Sequence, residues 1–236
     1  MPVTRGKKGL PAGRQAIVLL SGGLDSATTL YIAKKQGYKC LCLIFDYGQR
    51  HKKEILLAKS IAKSAGCRYR IVKFRLPWKG SALLDKAVTL PYHRSLDSES
   101  FKEKIPSTYV PARNIVFLSF ATSFAEAVGA GAIFIGANVV DYSGYPDCRP
   151  EFFADFAETI KIGTKSGVEG RSIKIFAPLI HKSKKEIIKT GICLGVPYHL
   201  TWSCYEGGRK PCHKCDSCKL REKGFKELGI KDPLDG

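Results

Sequence analysis

Acidic residues are scarce in this chain: 21 Asp and Glu stand against 39 Lys and Arg, a surplus of 39 − 21 = 18 positive charges. A field of that sign attracts anions, whether nucleotides, phosphorylated substrates or RNA, and charge alone does not choose among them. Long apolar runs are missing too. No stretch approaches the ~18 residues that a membrane-spanning helix needs. Met1 to Arg14 has charges and prolines where a secretory leader needs an apolar centre. The expectation is a soluble, cytoplasmic chain without a membrane partner. Nor do the cysteines make an even set: there are nine, and four of them crowd into one short stretch. That pattern points to metal and reduced thiols rather than a disulfide framework. No segment repeats another.

What is present is enough apolar material for one substantial core. The 236 residues are 44% hydrophobic, a length that suits one main domain with a small addition. The expected division is a basic, disordered tail over 1–14, a main domain over 15–195 and a cysteine-bearing appendage over 196–236. A second basic block runs from Lys161 to Lys189, where eight basic residues face only Glu169 and Glu186.

The apolar pattern alternates between two periods. Ala16 to Leu20 is a short apolar run stopped by Gly22-Gly23, as a buried strand ending in a turn would be. Ser26 to Lys35 reads as a helix, Lys39 to Phe45 as a strand, His51 to Ala65 as a helix and Arg68 to Phe74 as a strand. On the second helix Ile55, Ala58, Ile61, Ala62 and Ala65 share one face. Short connections between such elements describe right-handed βαβ units in a parallel sheet. Leu76 to Pro106 lapses into a polar excursion too long for an idle connection, either a lid or a disordered segment. Helices are expected again over Asn114 to Val128, buried on all sides, over Pro150 to Ile162 and over Lys182 to Thr190. Strands are expected at Ala132 to Gly136 and Ile173 to Phe176.

The first turn carries chemistry. A strand running through Ser21-Gly22-Gly23-Leu24-Asp25-Ser26 into a helix aims bare backbone N–H groups and a positive helix end at one spot, where an anion can sit. Ser21 and Ser26 add hydroxyls. Asp25 would repel phosphate unless Mg²⁺ lies between them, so Asp25 is a metal-bridging candidate. The bland alternative is a glycine turn with Asp25 or Ser26 as helix N-cap. The loop matches neither the Gly-x-Gly-x-x-Gly nor the Gly-Lys-Ser/Thr pattern.

Cys204, Cys212, Cys215 and Cys218 are spaced C-x7-C-x2-C-x2-C. Short turns can bring four thiolates around one ion at the roughly 2.3 Å of a Zn–S bond. Lys210, Lys214, Lys219 and Arg221 stand near enough in sequence to offset the negative shell. With no thiolate replaced by water, such a zinc would be structural; a redox pair or an iron–sulfur cluster is the alternative. Cys40 and Cys42 share one face of a strand and read as core thiols, Cys67 and Cys193 suggest no role, and Cys148 lies in a polar loop.

Ser21 to Ser26 resembles the phosphate loop of the ATP pyrophosphatase (PP-loop) superfamily, and Pro178-Leu179 followed by Lys184 and Glu186 resembles its late Pro-Leu and Lys-x-Glu element. The resemblance implies an α/β parallel-sheet fold of the adenine nucleotide alpha hydrolase type. It also implies an ATP site at Ser21, Gly22, Gly23, Leu24, Asp25 and Ser26, with Lys184 on the phosphates. Further stretches narrow it: Phe45 to His51, Val110 to Asn114, Asp141 to Pro150 and Thr201 to Cys204 together resemble the 7-cyano-7-deazaguanine synthases, the QueC family of queuosine biosynthesis.

That family resemblance implies conversion of 7-carboxy-7-deazaguanine and ammonia to the nitrile with ATP, feeding queuosine or archaeosine, and a homodimer. It implies Mg²⁺ with ATP and one structural Zn²⁺ on the four cysteines. Charge developing on phosphates and activated oxygen calls for cations, for which Arg113, Lys184 and Lys161 are the candidates. The N–H edge of a deazaguanine is answered best by a carboxylate, from Asp141, Asp147 or Glu151, with Arg149 for the substrate carboxylate. Tyr142 and Tyr145 are candidates to stack on the base. Adenine would be read by main chain near Phe45 and Tyr47, where the second strand ends. Free ammonium is the expected nitrogen source. The competing readings are a tRNA-modifying PP-loop enzyme, which would need a reactive cysteine pair, and a non-catalytic zinc protein that binds nucleic acid.

Overall fold

The computed structural model describes residues 14–93, 105–140 and 144–235. Five strands form one parallel sheet in the order β3-β2-β1-β4-β5, with β1 Gln15–Leu19, β2 Lys39–Asp46, β3 Arg68–Lys73, β4 Ala132–Phe134 and β5 Lys174–Phe176. From β1 the chain winds outward through β2 and β3, then returns to add β4 and β5 on the other side. The winding therefore reverses between β1 and β4. At such a switch point the connections leave in opposite directions and open a crevice at the carboxyl ends of the strands.

The helices are α1 Leu24–Lys35, α2 Lys53–Ser64, α3 Arg113–Val128, α4 Pro150–Gly163, the short α5 Lys165–Val168, α6 Lys184–Cys193 and α7 Asp216–Lys226. Alternate strand residues feed two cores, as period-two geometry requires. On one face Ala16, Val18, Cys42 and Ile44 pack with α1, α2, α6 and the α7 residue Phe225. On the other, Ile17, Leu19, Leu41 and Leu43 pack with Leu118, Ala121 and Ala125 of α3 and with Phe153 and Ile160 of α4.

Two expectations change. The α3 helix is not buried all round: it lays Leu118, Ala121 and Ala125 on the sheet and leaves Ile115, Phe120 and Val128 exposed, because only one side of it meets the sheet. The fourth strand stops at Phe134, two residues early, since the chain at Gly136 must pass against the start of α1. The appendage after Gly195 packs on the main core: Val196, Tyr198 and Phe225 join the cluster of α1 and α2, and Trp202 and three of the cysteines form a smaller cluster.

The excursion after β3 is ordered where described. Ser81, Ala82 and Leu90 are buried. Arg50 holds the segment by donating from Nη1 to the carbonyl of Ala82 at 3.0 Å, and its own N–H bonds Leu83 O at 2.9 Å. Tyr92 bridges to Cys215, so the segment ties the crevice mouth to the cysteine unit. The tail over 1–13, residues 94–104, and Asp141, Tyr142 and Ser143 lie outside the described residues.

Candidate active site and metal centre

The phosphate loop occupies the switch point. Gly22 has φ +88°, and a Cβ there would stand 2.3 Å from the carbonyl oxygen of Glu54, so only glycine lets the loop lie against α2. Gly136 has the same function on the β4 side, where a Cβ would come within 3.0 Å of the backbone at Asp25 and Ser26. The N-cap of α1 is Gly23, and no side chain caps it. Ser26 Oγ instead closes the loop on itself, accepting from Ser21 N at 3.2 Å and donating to Gly23 O at 3.0 Å. The helix-cap reading of Asp25 or Ser26 therefore fails, and the first N–H groups of α1 stay available to an anion.

Asp25 faces a lysine from the far end of the chain. Lys184 Nζ donates to both carboxylate oxygens, at 2.7 and 2.9 Å. The lysine is buried at 9% exposure, close to its carboxylate partner. Two sequence elements 159 residues apart thus meet in one ion pair. Glu186, the other named residue of that element, works differently: its carboxylate accepts from Ser183 N at 2.8 Å while Ser183 Oγ accepts from Glu186 N, a capping box at the start of α6. Its hydrogen bonds to Ser183 hold its carboxyl below the usual range.

Around the pair lies a cavity of about 280 Å³, lined by the loop, by Phe45, Tyr47, Gln49 and Glu54, by Arg113, Asn114 and Phe117, and by Lys184, Trp202 and Arg221 among others. Beyond β1 the groups on β2 that would continue the ladder, Phe45 C=O and Tyr47 N–H, are free of the sheet. The Gln49 side chain takes both: its Nε2 donates to Phe45 O at 3.1 Å and its Oε1 accepts from Tyr47 N at 2.9 Å. An amide offers the donor-and-acceptor edge that adenine would present. Arg113 reaches Tyr47 with Nη1 at 3.3 Å. Burial works against its charge, but the Tyr47 and Tyr145 hydroxyls and Asp147 outweigh that and raise its pKa.

Of the residues assigned from the sequence, Ser21, Gly23, Leu24, Asp25, Ser26, Phe45, Tyr47, Arg113 and Lys184 line this cavity, and Gly22 shapes it from behind. Others do not. Asp147 is buried and accepts from Asn114 N at 2.9 Å, which fixes the first turn of α3. Arg149 and Glu151 are exposed, and Lys161 pairs with Glu158 at 3.0 Å on an exposed face of α4. Glu54 and Asn138 were given no role from the sequence, and Gln49, Trp202, Ser203 and Arg221, although named there, were not assigned to the cavity they line. Cys148 does line the cavity, but burial, aided by Asp147, pushes its thiol up to about 12, so it is a neutral thiol and not a nucleophile.

Glu54 is the unusual acid here. Burial lifts its carboxyl from the ordinary 4.5 to about 7, and Arg113 only partly opposes the rise. A folded-state pKa above the unfolded value means that the folded form holds the proton more tightly, so stability is lost as pH climbs from 4.5 through 7. Glu54→Gln should therefore make the ligand-free protein more stable at pH 8, by up to about 3 kcal/mol. The gain should vanish near pH 4, as paired urea titrations at the two pH values would show; a constant gain would rule out titration as its source.

The four cysteine sulfurs lie within 4.8 Å of one another, with Cys212 and Cys218 Sγ 4.0 Å apart. Tetrahedral bonds of roughly 2.3 Å separate thiolates by a little under 4 Å, so the group can hold a metal ion. Backbone N–H groups serve the sulfurs: Cys212 N donates to Cys204 Sγ and Cys215 N to Cys212 Sγ, each at 3.4 Å. Two of the four expected cationic neighbours are engaged with carboxylates. Arg221 is buried against Asp232, Nη2 to Oδ1 at 2.9 Å, and donates to Thr201 Oγ1 at 2.7 Å, while Lys214 pairs with Glu206. The unit is joined to the phosphate loop: Trp202 N donates to Gly22 O at 2.9 Å, and His51 Nε2 to Cys204 O at 3.1 Å.

The family model for the queuosine biosynthesis protein QueC matches residues 15–229. The chain belongs to the QueC family. It is 54% identical over 222 residues to the 7-cyano-7-deazaguanine synthase of Trichodesmium erythraeum, covering 93% of this chain and 99% of that one. The synthase of Acetivibrio thermocellus is 53% identical over 223 residues, 94% and 97% of the two chains. Among solved structures, the NMN synthetase of Francisella tularensis aligns with a TM-score of 0.50 and 16% identity, over 94% of this chain and 79% of that one, and so shares the fold. The parallel α/β fold expected from the sequence is the one observed. Among the described residues no helix is long and apolar enough to cross a membrane.

Proposed function

We propose that this chain is a 7-cyano-7-deazaguanine synthase. It would use ATP to convert a 7-carboxy-7-deazaguanine and ammonium to the nitrile as a carbon–nitrogen ligase. The observation that carries the reading is the Asp25–Lys184 pair: it joins the two PP-loop elements across the mouth of a cavity in a chain of the QueC family. A carboxylate is a poor electrophile, so its oxygen must first be activated by ATP. Ammonia then displaces the activated oxygen and leaves an amide, and a second activation, now of the amide oxygen, permits loss of that oxygen and the nitrile bond. Superfamily logic favours transfer of the adenylyl group with release of pyrophosphate.

The roles follow from chemistry. The uncapped N–H groups of α1 and the Ser21 and Ser26 hydroxyls take the phosphates. Asp25 is the residue that would hold Mg²⁺, which would neutralise phosphate charge. Lys184, released from Asp25, would face the phosphates, and Arg113 stands ready for charge on the activated oxygen. Adenine reading at Phe45 and Tyr47 requires Gln49 to give up its two bonds. Asp141 and Tyr142 remain proposed for the base, whereas Asp147 has a structural task, and Arg149, Glu151 and Lys161 face away from the cavity.

For the cysteine unit we infer Zn²⁺, since four thiolates in a closed shell suit it and leave no open position for catalysis. Residues 15–195 would then hold the nucleotide and 196–236 a metal-stapled wall of the same cavity. A homodimer in the cytoplasm completes the reading. The test is incubation of zinc-loaded protein with 7-carboxy-7-deazaguanine, ammonium, Mg²⁺ and ATP, followed by mass analysis of base and nucleotide. The nitrile and AMP are expected. Absence of any amide or nitrile from folded protein would end the assignment, and ADP in place of AMP would end the adenylyl route.

A further inference from the structure

Ammonium is not a nucleophile, because all four of its orbitals are bonded. A synthase that takes free ammonium must remove a proton from it beside the activated carbon. Among the described residues that line the cavity, two side chains are carboxyls, Asp25 and Glu54. Asp25 is engaged by Lys184 through both of its oxygens. Glu54 is not engaged: its carboxyl makes no hydrogen bond among the described residues, and the nearest basic nitrogen among them, His51 Nε2, is 3.9 Å away. That nitrogen is already committed to Cys204 O at 3.1 Å, and 3.9 Å is too long for a hydrogen bond to the Glu54 carboxyl. The backbone of Glu54 lies against Gly22, which puts this first turn of α2 directly beside the phosphate loop.

We propose that Glu54 binds the substrate ammonium and takes its proton. The inference rests on the synthase reading and adds to it the acceptor that reading lacks. One N–H proton of ammonium passes to the Glu54 carboxylate. The lone pair so released forms the C–N bond as the bond from the acyl carbon to the activated oxygen breaks, its electron pair leaving with the phosphate group. The second surplus proton on nitrogen goes to solvent, and the amide remains. The titratable and charged groups that line the cavity with Glu54 are Arg113 from α3, Tyr47 past the end of β2, Arg50 and His51 ahead of α2, Tyr145, Cys148 and Tyr205, and the Asp25–Lys184 pair with Arg221; among them Arg113 opposes the rise at Glu54. A carboxyl titrating near 7 is matched to proton transfer at neutral pH, as a salt-bridged one would not be.

The test uses the intact zinc-loaded protein as wild type, Glu54→Gln and Glu54→Asp, with amide and nitrile formation followed against total ammonium from pH 6 to 9.5. Binding of ATP and of the carboxylated base is measured separately by calorimetry. Glu54→Gln is expected to bind both with unchanged affinity while kcat/KM for ammonium falls about 10²- to 10³-fold at pH 7. The deficit should shrink tenfold per pH unit as free ammonia becomes available. Glu54→Asp should keep the acidic limb of the wild-type profile. An unchanged ammonium dependence in Glu54→Gln overturns the proposal, and so does a raised KM for the base with ammonium unaffected, which would make Glu54 a reader of the base's N–H edge. If wild type itself forms no amide or nitrile, the synthase reading fails first; if wild type turns over and Glu54→Gln equals it at every pH, Glu54 alone is misassigned.

Discussion

Turnover of Asp25→Asn is expected to fall about 10³-fold or more with its metal content unchanged. The substitution keeps the shape of the side chain and one acceptor for Lys184 Nζ, now 2.7 Å from a carboxylate oxygen, but removes the negative charge. That charge has two tasks. In the ligand-free protein it compensates a lysine that is only 9% exposed, and with nucleotide bound it would hold the cation that lets phosphate approach. Loss of the first task costs about 1–3 kcal/mol, because the lysine keeps its charge in a poorly solvated place. Loss of the second removes an interaction needed only during reaction, so the fall in rate should far exceed what instability explains. Measuring kcat, melting temperature and bound zinc on one preparation separates the two. A variant within tenfold of wild type would remove Asp25 from the catalytic machinery.

Cys215→Ser should do the reverse and lose metal, fold and activity together. Cys215 is fully buried, precedes α7 as its N-cap, and pairs with Tyr92 from the segment that crosses the cavity mouth. A structural zinc contributes on the order of 10 kcal/mol of binding free energy, comparable to the whole stability of a domain. The loss reaches the cavity because Trp202 is bonded to Gly22, and Ser203, Tyr205, Ser217 and Arg221 form part of its wall. Metal analysis should give about one zinc per wild-type chain and almost none per variant, with a melting temperature lower by at least about 10 °C. Cys193→Ser is the control, since that thiol is exposed and is not one of the four clustered sulfurs. A Cys215→Ser protein with full zinc and normal melting would sink the structural-metal reading.

Much of this architecture was open to inspection in the sequence because its signals are local. The strand–glycine–helix passage at Ala16 to Lys35 needs no distant contact to be recognised, and neither does the apolar face of α2. The same holds for the cysteine spacing, since ligands with two residues between them meet in a short turn. The failures share a cause as well. The apolar composition of α3 suggested burial on every side, but whether a helix is covered depends on what packs on it, and α3 meets the sheet on one face alone. The Asp147 to Glu151 stretch read as one polar group. In the structure the backbone is extended at Arg149, between the 3₁₀ turn Pro146–Cys148 and α4; that break in the helical path leaves Asp147 buried in the turn and Arg149 and Glu151 exposed at the start of α4.

The phosphate loop, the parallel α/β fold and the four-cysteine unit were determined by the sequence alone, because glycine conformation, hydrophobic period and ligand spacing act within a few residues. Only the tertiary structure decided which groups share the cavity. Lys184 meets Asp25 because α6 packs beside α1, Gln49 occupies the β2 edge because β1 ends short of it, and Arg221 is spent on Asp232 rather than on the cysteines. Glu54 gave no signal in the chain, where it is one more polar residue on an amphipathic helix. Its carboxyl became unusual when Gly22 let the loop settle against α2, which left the half-buried side chain lining the cavity without a hydrogen bond among the described residues.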